Sequence, residues 1–185
     1  MMIKKKMTIR SWLTVLFVCL LPAVSMRAQD VQIVSLNKYF ATCIYNFTRA
    51  INWPQDCKNG NFVITVIGNK LLSAELIKLT QNYKVGLQQV TVQYYRSIDE
   101  INGFQHILFL DYLQSSKLDK VLQKIHTKNT LIVTHSEELT MTNSGSMINF
   151  IPVDGLMKFE ISNTVLKSSN LALSSQLIKM AEAVY

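Results

Sequence analysis

Apolar residues recur at helical spacing through the first third of the chain. Ile33, Leu36, Phe40, Ile44, Phe47 and Ile51 follow at intervals of 3, 4, 4, 3 and 4, which predicts an amphipathic helix over about Val31 to Ile51. Trp53-Pro54 ends it, because the residue before a proline disfavours the helical conformation. Phe62 to Ile67 (FVITVI), Ile107 to Leu110 (ILFL) and Leu131 to Val133 are short, wholly apolar runs, as strands buried on both faces require. Between them, Lys70 to Leu79 carries Leu72, Leu76 and Leu79 at helical spacing. Leu118, Val121, Leu122 and Ile125 do the same after a capping-box pattern at Ser116-Lys117-Leu118-Asp119. Val90, Val92 and Tyr94 alternate with polar neighbours, which predicts an edge strand with one wet face. Ser97 to Ile101 suits a single helical turn.

The last third changes period. Met147 to Val153, the turn signal Asp154-Gly155, and the alternation of Met157, Phe159 and Ile161 with Lys158, Glu160 and Ser162 predict a β-hairpin with one buried face. Asn163 is placed to cap a short helix. Leu173, Leu177, Met180, Ala181 and Val184 predict a C-terminal amphipathic helix capped by Ser174 or Ser175. Strands alternating with helices imply βαβ units. The fold class read from this pattern is α/β: a single domain with a mixed sheet, parallel βαβ strands plus a C-terminal antiparallel hairpin, and helices packed on the sheet.

Charge alters the picture once the chain is divided. The sequence carries 19 Lys and Arg, 12 Asp and Glu, and a formal charge of +7, which suggests nucleic acid. Five of the basic residues (Lys4, Lys5, Lys6, Arg10 and Arg27) lie in 1–28, which hold no acid, so 29–185 carries 14 basic against 12 acidic residues, a net +2. No footprint for DNA or RNA remains. Residues 1–28 themselves read as a signal peptide: basic residues, an apolar core from Ser11 to Ser25, then Ala28, with cleavage after Ala28 or alternatively after Ser25. The core is shorter than the roughly 20 residues of a spanning helix. No later apolar run of that length follows, so no membrane insertion of 29–185 is expected. The predicted organisation is 1–28 leader and 29–185 domain, exported to an oxidising compartment. Cys43 and Cys57 then allow one intramolecular pairing, which nothing in their spacing demands.

Catalytic chemistry is sparse. The chain has no G-x-G-x-x-G and no Walker A run, and Asn143-Ser144-Gly145-Ser146 lacks the second glycine of a nucleophile elbow. None of His106, His126 and His135 has a ligand partner at metal spacing, and the acids show no pairing for acid–base work. No catalytic residue, metal ligand or cofactor site is therefore assigned, and the chain reads as a non-enzyme. The candidate contacts for a partner or ligand are Trp53 and Pro54, His106 at the start of the ILFL strand, and Glu160, a lone acid between Phe159 and Ile161.

Five segments in order resemble the YfiR family of exported proteins. They are Tyr45-Asn46-Phe47 with Ile51-Asn52-Trp53-Pro54; Phe62 to Gly68; His106 to Leu110; Gly145 to Phe150 with Lys158 to Ile161; and Leu173 to Leu177. The resemblance runs over about residues 40–184. It implies a periplasmic, non-enzymatic regulator that binds a membrane signalling protein, a diguanylate cyclase or a histidine kinase, through that protein's periplasmic part. It also implies self-association and, in some members, redox control through a cysteine directly before the central-strand histidine. Here that position is Gln105, so that redox route is not expected. The alternative expectation is a periplasmic small-ligand-binding domain, with its pocket at the ends of the parallel strands.

Overall fold

The computed structural model describes residues 21–125, 128–138, 140 and 144–185. Two units are distinguished: the chain up to Leu36, and Asn37–Tyr185. In the first, residues 21–36 are described, as the opening half of helix α1 (Leu21–Ala50). The expected helix start at Val31 thus lies inside a longer helix. The first 20 residues of the expected leader fall outside the described residues. Ile33 is 45% exposed, so the predicted stripe is buried only from Phe40 onward, through Ile44 and Phe47 to Ile51.

After α1 the chain forms β1 (Ile51–Asn52), a 3-10 turn (Gln55–Cys57), β2 (Phe62–Ile67), α2 (Lys70–Thr80) and the hairpin β3 (Lys84–Val85) and β4 (Gln88–Tyr95). A second 3-10 turn (Ile98–Glu100), β5 (Ile107–Leu110), α3 (Tyr112–Ser115), α4 (Leu118–Lys124) and β6 (Leu131–His135) follow. The C-terminal part holds β7 (Ile148–Val153), β8 (Leu156–Ile161), α5 (Asn163–Ser168), β9 (Ala172–Leu173), α6 (Ser175–Met180) and β10 (Ala183–Val184).

One mixed sheet has the order β10-β8-β7-β6-β5-β2-β4-β3, and β1 and β9 form a separate antiparallel pair. β4, β2, β5, β6 and β7 run parallel; β3 and β8 turn antiparallel at the two sides. This is the α/β mixed sheet that the hydrophobic pattern predicts. All of Ile107 to Leu110 and Leu131 to Thr134 are buried, so these strands are covered on both faces. Phe40 of α1 packs against Phe109 and Phe150 at ring separations of 5.6 and 4.6 Å, and Phe47 meets Phe159 at 5.6 Å. That aromatic layer is the centre of the core. Asp154 and Gly155 both have positive φ (51° and 76°), the backbone that the predicted two-residue β7–β8 turn needs.

Three expected caps and ends differ. Ser116 does not open a capping box: it is the C-cap of α3 in the helical conformation (φ −62°, ψ −14°), and α4 starts from Lys117 without a side-chain cap. An N-cap needs an extended residue, and Ser116 is not one. Ser162, not Asn163, caps α5; it is extended and its hydroxyl accepts from the Val165 N–H. The predicted C-terminal helix stops at Met180. Ser174 caps it as expected, but Ala181 turns extended and β10 joins the sheet parallel to β8. The Glu182 and Tyr185 amides donate to Phe159 and Ile161, so satisfying the open edge of β8 outweighs extending a two-turn helix. Met180 and Val184, placed on the apolar face by periodicity, are accordingly exposed.

Candidate functional site

The Trp-Pro corner and His106 come together at the leading ends of β2 and β5. Trp53 is buried, and its indole Nε1–H donates to the Thr48 carbonyl at 3.0 Å, folding the corner back on the last turn of α1. Its ring meets Phe62 edge-on at 5.1 Å and His106 at 5.8 Å; Phe62 stacks on His106 at 4.3 Å. Pro54 is half-buried beside it.

The contacts of His106 identify its tautomer. Val63 N–H donates to Nδ1 at 3.0 Å, so Nδ1 carries no proton. Nε2 lies 2.8 Å from the Cys57 carbonyl and therefore holds the hydrogen that donates to it. The Gln88 amide nitrogen donates to the same carbonyl at 3.0 Å, so its 3.5 Å approach to Nε2 sets two donors side by side and is not a bond. Burial holds the imidazole below its ordinary pKa, opposed by the bond to Cys57. His106 thus ties the 3-10 turn to β2 as a neutral ring with both nitrogens engaged. Position at the start of β5 was legible in the sequence; this bridging role was not.

Glu160 lies elsewhere, on β8 beside the sheet's other edge. The Tyr185 hydroxyl donates to its Oε1 at 3.0 Å, which raises the Tyr185 pKa. The four candidate contacts therefore divide into a corner of three and a separate acid.

Cys43 and Cys57 are both free thiols, Cys43 half-buried on α1 and Cys57 buried in the 3-10 turn. Burial pushes each pKa up to about 11; the Asp56 carboxylate adds to the effect at Cys57. From an ordinary value of 9.0, that leaves roughly a hundredfold less thiolate at pH 7. The more basic thiolate is the better nucleophile and restores about half of that on a logarithmic scale. Alkylation of both cysteines at pH 7 should run about tenfold slower in the folded protein than in urea, read by peptide mass after timed labelling. Equal rates would show thiols more open than this geometry. Gln105, at the position where the resemblance places a redox cysteine, is buried, and its amide donates to the Asn102 and Gly103 carbonyls at 2.8 Å each.

At the opposite ends of the parallel strands lies polar structure that the sequence did not announce. β2 is flanked by β4 on one side and β5 on the other, so the chain reverses direction across the sheet there, where open α/β sheets have a crevice. Asn69 follows β2 and Asp111 follows β5. Asn69 Nδ2 donates to Asn37 at 2.9 Å and to Asp111 at 3.2 Å, while its Oδ1 caps α2 at the Leu72 amide. His135 Nδ1 is buried without a hydrogen bond, 3.7 Å from Asp111 Oδ1. Next to this cluster a hollow of about 680 Å3 is lined by Ser115, Ser136, Thr140, Ser144, Asp119 and Glu138, among others. Behind it, Asn149 of β7 is fully buried; it accepts from Thr134 at 2.8 Å and the Ser136 amide at 3.1 Å, and donates to the Ser136 carbonyl at 2.8 Å. Ser146, from the superficially nucleophile-like loop, is buried and bonded to Thr134 at 2.8 Å and to the Ile148 carbonyl. Among the described residues its hydroxyl bonds no His, Asp or Glu. Asn143 of that loop, like His126, lies outside the described residues.

Among the described residues no group of His, Cys, Asp and Glu could hold a metal ion, and no helix is long and apolar enough to cross a membrane. No curated protein matches the chain. A family model does, over residues 37–182, from the first residue of the second unit to the residue before β10. The chain belongs to the YfiR/HmsC-like family.

Proposed function

We propose that the chain is an exported, non-catalytic regulatory module that binds the periplasmic part of a membrane diguanylate cyclase or histidine kinase and shifts its activity. The observation that carries this reading is the family match over 37–182, which takes in nearly the whole compact unit. In this reading residues 1–28 are removed after Ala28 or Ser25, and 29–185 acts in the periplasm. The side-chain chemistry supports binding over turnover. His106 has both ring nitrogens engaged, and Ser146 is sealed in a buried network, so neither is poised to move a proton or attack a substrate. Regulation of this kind needs different affinities for two states of the partner.

Deletion of the gene tests it. Cellular cyclic di-GMP, or the phosphorylation of an envelope kinase, should change several-fold, and return when the full-length chain is supplied but not when 1–28 is removed. Unchanged levels of both would sink the reading. The second reading is a small-ligand-binding domain, favoured by the hydroxyl-lined hollow of about 680 Å3 at the strand ends. A small solute that raises the melting temperature of the wild-type protein but not of a Ser136→Leu variant would select it.

A further inference from the structure

The Trp-Pro corner has an open side. A groove of about 960 Å3 separates it and the end of α1 from the β3–β4 hairpin. Among the described residues the charged side chains lining it are Arg49, Lys58 and Lys84, with no carboxylate. All three are exposed, and none forms an ion pair with a described acid, whereas Lys78, Lys120 and Lys158 each do. Asp56, the acid closest in sequence to Lys58, is held by the Asn129 amide at 3.1 Å. Residues 29–185 carry a net charge of only +2, so three unneutralised cations in one concavity are a local excess and not a share of general basicity. Concave surfaces lined by one sign of charge focus their potential. At the rim, the hairpin turn carries Leu87, 96% exposed, beside Gly86 at φ +61°. Turn positions ordinarily hold polar residues, and this one offers an apolar side chain next to the cations.

We infer that this groove receives an acidic, extended segment of the protein that the chain regulates, carboxylates against Arg49, Lys58 and Lys84 and an apolar side chain against Leu87. The inference rests on the regulatory reading above and deepens it. A groove suits a polypeptide and not a flat bilayer. Among the described residues no strand pairs with the outer side of β3, but it spans two residues, so added-strand pairing supplies little and charge pairing carries recognition.

The test uses the protein as purified after expression of the full-length chain and a fluorescein-labelled octapeptide of alternating Glu and Leu, read by anisotropy. Binding should be saturable at low salt and weaken as salt screens the charges. The triple variant Arg49→Glu, Lys58→Glu, Lys84→Glu should bind about tenfold or more weakly. The triple variant Lys70→Glu, Lys117→Glu, Lys179→Glu makes the same change in net charge at exposed sites outside the groove and should bind as wild type. Matching melting temperatures exclude misfolding. Equal loss in both variants, no peptide binding at all, or binding of phosphatidylglycerol vesicles in place of the peptide overturns the inference. In cells, the groove variant should lose control of cyclic di-GMP or kinase phosphorylation while the other keeps it; control retained by both also overturns it. If the wild-type chain controls neither signal, the regulatory reading fails, and the peptide result still decides whether the groove takes acidic chains.

Discussion

His106→Ala should lower stability by about 4 kcal/mol. Removing the ring opens a cavity between Phe62 and Trp53, which costs about 2–3 kcal/mol where the surroundings cannot collapse. It also strands the Val63 N–H at a strand end, for about 1–2 kcal/mol. The Cys57 carbonyl keeps the Gln88 donor and adds little. For a domain of this size, the melting temperature should fall by roughly 10 °C or more. His106→Phe separates the two causes: it refills the volume and should recover more than half of the loss. Acid gives a second signature. The folded ring has a pKa below 6.5 and the unfolded ring titrates at that value. Between the two, the unfolded chain binds the extra proton, so the ring's contribution is complete above pH 6.5 and is lost as pH falls toward the lowered folded value. The melting temperature of the wild type should therefore drop more between pH 7 and pH 5 than that of His106→Phe. Parallel curves would mean that the folded ring accepts its second proton freely, against the Val63 contact.

Asn149→Asp should cost about 3 kcal/mol at pH 7, although the two side chains have the same shape. The carboxylate can still accept from Thr134 and the Ser136 amide, but the second oxygen then faces the Ser136 carbonyl with no hydrogen between them. A fully buried charge without a cation also bears a desolvation cost. Here the sign in acid reverses. Protonated, the introduced carboxyl donates to the Ser136 carbonyl, so its folded pKa lies above the unfolded value. The deficit relative to wild type should accordingly shrink as pH falls through that folded pKa. Melting curves from pH 7 to pH 4 measure this directly. A deficit that is constant with pH would show that the side chain does not donate to Ser136.

Both sites were only partly readable beforehand, for one physical reason. Apolar periodicity reports which faces are covered, so FVITVI, ILFL and the Asp154-Gly155 hairpin appear in the structure where the pattern puts them. Polar contacts between distant segments leave no period. Asn69 reaches Asn37 and Asp111 across 32 and 42 positions, and nothing local marks them as partners. Asn149 sits within an apolar run, where its burial was legible and its three bonds were not. Two-residue strands such as β3 and β10 are below the length at which alternation can be recognised. The C-terminal segment shows the same limit from another side: Met180 and Val184 keep helical spacing, but an unpaired strand edge recruits the backbone first. At the corner, Trp53 and His106 are distant in sequence and adjacent in the fold; their side chains are spent on internal bonds, and the exposed chemistry belongs to Arg49, Lys58, Lys84 and Leu87 around them.

The pairing of residues 183–185 with β8 has a consequence for how one copy of this chain meets another. Ala183 and Val184 lie beside Glu160 and Ile161, Tyr185 N–H donates to Ile161, and Asn163 N–H is received by the Tyr185 carbonyl. These three residues are a seam. Displacement of these three residues would expose a six-residue strand edge, open to pairing with the same edge on another molecule. A weakened seam would then show itself as assembly of the chain through β8.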